Sequence, residues 1–233
     1  MALDSRPRLV LWDIDHTLLE SRGIGHDVYE RVFPAVTGEP LRELSLVQGS
    51  TELDIIHNTL RLHRLDCTQG SVTRLAAALA DGYREAVDEL TTRGRVLPGA
   101  WRALADLAAD PGTWQSVLTG NTTEVARIKV EAFGLDRYLD LSIGAYGDDH
   151  RDRAELVGIA RARAGRQLGS EVPADRVVLI GDTPNDVAAA LVAGARIVGV
   201  ATGKYSADAL RAAGAPVVVA SLTDLPALRG VLG

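Results

Sequence analysis

The stretch Leu9-Val-Leu-Trp-Asp13-Ile-Asp15-His16-Thr-Leu18 decides the fold. Its four leading apolar residues, Leu9 to Trp12, fit a short strand buried on both faces of a parallel sheet. Carboxylates are not tolerated in the middle of such a strand, so Asp13 and Asp15 are expected where the strand gives way to a loop. In open α/β sheets that carboxyl edge is where ligands bind. Side chains alternate along extended backbone, so residues two apart point into one volume. Two carboxylates in one place require a cation or a shared proton, and either condition is a chemical resource.

The pattern that follows is helical. Candidate helices near 26–36, 52–64 and 71–92 occupy a region with no good strand pattern between 20 and 95, and Pro98-Gly99 marks a return to the main domain. The polar stretch Gln48-Gly49-Ser50-Thr51-Glu52 reads either as the capped start of a helix or as a loop that faces a substrate. Beyond residue 98, helices and strands alternate: helix 99–109, strand 115–118, helix 122–133, a weaker strand 141–143, helix 154–166 and strand 176–180. Helix 184–193, strand 196–200, helix 206–213, strand 216–219 and a terminal helix complete the series. This alternation predicts an α/β fold with a Rossmann-like parallel sheet and an inserted helical unit.

Three polar clusters lie at or beyond strand ends. Thr119-Gly120-Asn121 is either an ordinary turn or a hydroxyl with backbone N–H groups able to hold a phosphate oxygen. Gly181-Asp182-Thr-Pro-Asn-Asp186 carries two carboxylates one helical turn apart, more than a turn requires. The stretch from Gly147 to Arg153 reads by itself as a solvated charged loop. Oxygen ligands from two strand ends, without clustered His or Cys, point to Mg2+ with Asp13 and Asp182 as ligands. No Walker A loop or dinucleotide loop is present, since Gly199 to Tyr205 is short by one residue and ends in Tyr.

These segments resemble the haloacid dehalogenase (HAD) superfamily. Asp13-Ile-Asp15 matches its first motif, Thr119 the second, and Gly181-Asp182 to Asp186 the fourth. The insert resembles the helical C1 cap of the phosphoglycolate phosphatase and β-phosphoglucomutase branches. The resemblance implies a HAD-like core of residues 1–19 and 96–233, a C1-type cap of residues 20–95, and a Mg2+-dependent phosphatase acting on a small phosphorylated metabolite. It implies Asp13 as the nucleophile that becomes an aspartyl-phosphate, and Asp15 as general acid and base. Thr119 and the N–H groups of Gly120 and Asn121 would hold the phosphoryl oxygens. Asp182, supported by Asp186, would bind Mg2+ with Asp13 and the backbone carbonyl of Asp15. The family's third motif supplies a basic residue, usually lysine, but this chain has lysine only at 129 and 204. Arg153 stands at the expected place, with Arg151 and Lys204 as rivals, and arginine can orient carboxylate and phosphate together. His16 replaces the small residue frequent after the second aspartate and is read as a solvent-facing turn residue.

Asp15 argues against dehalogenation, because halide departure needs no proton. Phosphonate cleavage needs an imine-forming lysine, and residues 20–95 contain none. A phosphomutase, or a sensor of phosphorylated ligands with little turnover, remains the alternative. Gln48, Gly49, Ser50, Thr51 and Lys204 are candidate substrate-binding residues, and Glu52 is among the cap residues expected to set the substrate; Arg31, Arg42, Arg61 and Arg64 could reach an acidic substrate group, although most of them read as solvated helix faces. The net charge of −6 gives no reason to expect nucleic acid or an anionic membrane. The single cysteine, the absence of a signal-like start and the absence of an apolar run near ~18 residues lead to the expectation of a cytoplasmic protein.

Overall fold

The computed structural model of the chain describes residues 7–46 and 49–232. Five parallel strands form one sheet, β1 (Arg8–Trp12), β4 (Thr113–Val117), β5 (Val177–Gly181), β6 (Arg196–Val200) and β7 (Val217–Val219), in the order β4-β1-β5-β6-β7. The opening apolar run is thus an interior strand, with Leu9 beside Trp114 on one side and Val177 on the other. Its side chains divide by parity. Val10 and Trp12 join the core on one face, while Leu9 and Leu11 join the core on the other, and all four are fully buried. Truncating any one of these to alanine would cost about 2–5 kcal/mol.

One face is covered by helices that include α5 (Ala100–Ala108) and α6 (Thr123–Ala132). The other is covered by α7 (Arg153–Leu168), α8 (Pro184–Val192) and α9 (Ala207–Ala212), and α10 (Leu225–Leu232) closes the chain beside β6 and β7. Because β1, β4 and β5 run parallel, Asp13, Thr119 and Asp182 all emerge at one edge.

Between β1 and α5 the chain forms α1 (Ile24–Thr37), α2 (Glu52–Leu62), α3 (Gln69–Glu85) and α4 (Val87–Arg93). These helices share their own core, in which Phe33, Ile56, Leu75 and Leu79 are buried, and which reaches α6 through Val125 and Ile128. The helix expected over 71–92 is divided at Ala86, whose N–H bonds both Gly82 and Tyr83 carbonyls. A two-stranded antiparallel ribbon, β2 (Leu19–Glu20) with β3 (Arg95–Val96), joins the points where the chain leaves and rejoins the sheet. Two residues are too short to carry a strand period, and the sequence reading has no such ribbon.

The weaker strand expected at 141–143 is instead a 3-10 turn, Leu141–Ile143. Asp140 captures the N–H and hydroxyl of Ser142 with its own carboxylate, and this local bond competes with strand pairing. The chain meets the sheet edge two residues later, where Ala145 bridges Leu118. Among the described residues no helix is long and apolar enough to cross a membrane.

Candidate active site

Asp13 follows the last residue of β1, and its N–H donates to Ile180 on β5, which fixes the backbone where the strand ends. Arg153 at the start of α7 reaches it: Nη2 donates to Asp13 Oδ1 at 2.8 Å and Nε to Asp186 Oδ1 at 2.8 Å. Asp186 is held from the other side, accepting from the Thr183 N–H at 3.0 Å and its hydroxyl at 2.7 Å in a capping box that starts α8. Arg153 is therefore a fork between two carboxylates, a geometry suited to guanidinium. Among the described residues Asp13 Oδ2 has only a contact of 3.4 Å from the Thr17 hydroxyl. Asp182 completes the group, and one oxygen each of Asp13, Asp182 and Asp186 lies within 4.8 Å of the others. The loop after β6 presses on Asp182, since a Cβ on Gly203 would lie 1.8 Å from its Oδ2.

Asp15 faces the other wall of the cleft. Lys129 on α6 donates to Oδ1 at 2.9 Å and to Oδ2 at 2.8 Å, and also to Asn121 Oδ1 at 2.8 Å, so all three ammonium protons are engaged. Asn121 Nδ2 donates to Asp15 at 2.7 Å and to the Thr119 hydroxyl at 2.8 Å. Behind this network Tyr29 donates to Glu52 at 2.5 Å, and Lys129 lies 5.1 Å from the centre of the Tyr83 ring.

Burial raises Asp13 to about 7 against the pull of Arg153, helped by the charge of Asp186. Burial and the charges of Asp13 and Asp186 push Asp182 up to about 9. Carboxylates forced together and desolvated in this way are a receptive site for positive charge. Their all-oxygen donors fit a hard divalent cation. Asp15 goes the opposite way: burial raises it, but Lys129 and the Asn121 hydrogen bond outweigh burial and hold it below the ordinary carboxylate range.

The walls of a cavity of about 320 Å³ include Asp13, Asp15, Thr119, Gly120, Asn121, Arg153 and Asp182. Gly49 and Ser50 also line it, and the Ser50 carbonyl would lie 2.2 Å from a Cβ on Gly120. Thr51 is a buried helix cap that accepts from Asp54 and faces a neighbouring groove, which accords with the helix-start reading. Gln48 lies outside the described residues. Lys204 is exposed and is not in the cavity wall, and Arg151 pairs with Asp54 at 2.6 Å, so the geometry brings Arg153 rather than either rival to Asp13. Asp15, expected to offer a metal only its carbonyl, keeps its side chain out of the three-carboxylate group. His16 is exposed with φ of 61°, a left-handed conformation that explains why a small residue suits this position.

Lys129, Tyr29 and Tyr83 are cleft residues that the sequence reading did not single out. Lys129 offered one signal. It stands four residues after the buried Val125 on α6, and so on the face that the helix buries.

Fold and site together define a Rossmann-like α/β protein with a buried carboxylate at the end of an interior strand and further carboxylates and an arginine around it. The chain belongs to the haloacid dehalogenase-like hydrolase family, whose model matches residues 10–191. "Probable phosphatase IndB" of Dickeya dadantii (strain 3937) is 32% identical over 133 residues, which is 57% of this chain and 55% of that protein. The chain thus aligns with about half the length of that relative. Similar solved structures include CbbY from Rhodobacter sphaeroides in complex with phosphate, with a TM-score of 0.71, 22% identity, and coverage of 94% of this chain and 96% of that one. Another is a hydrolase from Pseudomonas syringae, with a TM-score of 0.70, 22% identity, and coverage of 97% and 100%. At these identities the likeness is one of fold.

Proposed function

We propose that the protein is a Mg2+-dependent phosphatase that hydrolyses a small-molecule phosphate monoester through an aspartyl-phosphate on Asp13. The observation that carries this reading is the setting of Asp13, one oxygen held by Arg153 and the other met at 3.4 Å by the Thr17 hydroxyl, with Asp182 and Asp186 close by. The phosphatase name of the partial relative agrees with it.

In this reading Asp13 Oδ2 attacks phosphorus while the bond from phosphorus to the ester oxygen breaks. Asp15 gives the departing oxygen its proton. Lys129 holds Asp15 ionised in the resting cleft, and Asp15 takes up this proton from solvent when the arriving phosphoryl dianion raises its proton affinity. Asp15 then takes a proton from water as that water attacks phosphorus, which frees Asp13 and inorganic phosphate. The Thr119 hydroxyl and the N–H groups of Gly120 and Asn121 hold the phosphoryl oxygens. Arg153 orients Asp13 and sets positive charge against the negative charge of the equatorial phosphoryl oxygens. Asp13, Asp182 and the Asp15 carbonyl would hold Mg2+, with Asp186 in support, and the bound ion supplies charge neutralisation for the phosphoryl group.

The helices of residues 20–95 serve as a C1-type cap over a core of 1–19 and 96–233. The cap-side residues Gly49, Ser50 and Glu52 in the cavity wall support this division. The kinship to phosphoglycolate phosphatases lies in this cap, and the lone cysteine supports a cytoplasmic setting.

Phosphate release from a panel of phosphomonoesters, with Mg2+ and with EDTA, tests the reading. Turnover is expected to need the metal, to vanish in Asp13→Asn, and to fall roughly 10²- to 10³-fold in Arg153→Ala. Release from no ester would overturn it, and formation of an isomeric hexose phosphate instead would favour a mutase.

A further inference from the structure

Tyr29, Glu52, Ile55 and Tyr83, from the helices between β1 and α5, line the same cavity as Asp13. Glu52 has 8% of its surface exposed, and Tyr29 binds its Oε1. Among the described residues Oε2 accepts no hydrogen bond, and Glu52 lines the cavity, so it offers an uncommitted acceptor there. The cations nearby are already committed. Lys129 spends its protons on Asp15 and Asn121, and Arg153 is shared by Asp13 and Asp186. His26 is exposed and stands 3.3 Å from Glu30, while Arg31, Arg42, Arg61 and Arg64 are not in the cavity wall.

Among the described residues the lysine and the arginine of the cavity wall are both engaged, and beside them stand only the histidines His16 and His26. A substrate carboxylate would therefore face Glu52 and Asp15 without a free lysine or arginine, whereas a substrate hydroxyl would find an open carboxylate oxygen. Burial raises the Glu52 carboxyl above its ordinary range against the pull of Tyr29 and Lys129, which makes it a poor counter-charge, and an ammonium would also meet the opposing field of Lys129. Buried polar groups left unpaired, or charges left without a counter-charge, are strong discriminators.

We infer that Glu52, held by Tyr29, determines specificity by accepting a hydrogen bond from a hydroxyl of an uncharged leaving group and by turning away carboxylate-bearing phosphoesters. This rests on the phosphatase reading. Each interaction alters recognition of the alcohol part of the ester and leaves the phosphoryl chemistry to Asp13.

The test measures kcat/KM in Mg2+ for glycerol 3-phosphate and ribose 5-phosphate against 2-phosphoglycolate, 3-phosphoglycerate and O-phosphoethanolamine. The wild type is expected to prefer the first two by roughly 10-fold or more, and Glu52→Gln to shrink that ratio by about 10-fold, chiefly through KM. Tyr29→Phe is expected to shrink it less, and it carries the test if Glu52→Gln does not fold. Preference for an acid or an amine, or an equal loss on every ester in both variants, overturns the inference. Asp13-dependent release from p-nitrophenyl phosphate separates the two failures: present, the phosphatase reading survives alone; absent from this and every other ester, both fall.

Discussion

Lys129 donates to both carboxylate oxygens of Asp15, at 2.9 and 2.8 Å, across 114 positions of sequence. The pair fastens α6 to the loop after β1, and the ammonium is almost fully buried. Removing the cation would leave Asp15 and Asn121 without their shared donor. Lys129→Met is therefore expected to cost about 1–3 kcal/mol, below the value for a sealed pair because the Asp15 side chain is one-third exposed.

The pH dependence of that loss follows from the direction of each shift. Asp15 is depressed in the folded state, so its contribution is present above the ordinary carboxylate range and disappears as pH falls through its folded value. Lys129 is raised, so its contribution is present below the ordinary lysine range and disappears above it. Urea denaturation should give a wide gap between wild type and variant at pH 7 and a narrower one near about pH 3. A gap that does not change with pH would mean that packing, and not charge, accounts for the loss.

The sheet and the chemistry at its edge were readable because they depend on local pattern. Leu9 to Trp12 spells a buried strand, and Asp13 and Asp182 are carboxylates where strands stop. Arg153 was readable only as one of three cations, and its selection required the meeting of α7, β1 and α8 in space. Glu52 was readable as a cap residue near the substrate, but its partner Tyr29, and Lys129, were hidden for the same reason: each joins elements whose contact is set by tertiary packing. The 3-10 turn at 141–143 was misread because a run with apolar ends also suits a strand, and Asp140 decides the outcome through one side-chain bond.

The raised carboxyls make the stability of the metal-free protein fall with pH. At neutral pH the unfolded chain has lost the protons of Asp13 and Asp182, while the folded chain keeps them up to about 7 and about 9, so folding binds protons. In EDTA, stability is therefore expected to decline between about pH 5 and pH 9, a decline that Asp182→Asn should flatten. The same variant should be more stable than wild type at pH 8 by about 1–3 kcal/mol, because asparagine is neutral without the proton that Asp182 must take up on folding. Mg2+ should raise the Tm of the wild type, more at pH 8 than at pH 6, and should leave Asp182→Asn nearly unmoved. Thermal scans giving equal metal shifts in both proteins would exclude Asp182 as a ligand.

Gly147 and Gly158 offer a paired test of how tightly the cleft is closed. A Cβ at Gly147 would lie 1.9 Å from the Gly120 carbonyl oxygen and 3.1 Å from the Glu52 N–H nitrogen. Those two groups are bonded to each other at 2.7 Å, joining α2 to the turn after β4. Gly147→Ala must therefore push apart the turn that carries Thr119 and the segment that carries Glu52. Backbone cannot rotate aside as a flexible side chain can, and the expected cost is about 1–3 kcal/mol with a marked loss of turnover. At Gly158, within α7, an added Cβ meets nothing within 4 Å. Gly158→Ala should instead stabilise by about 0.5–1 kcal/mol, because alanine surrenders less backbone entropy in a helix. Denaturation midpoints moving in opposite directions would establish that the cleft depends on the absence of a side chain at 147. Midpoints moving together would show that the turn yields freely, and that its close approach to α2 is not what positions Thr119.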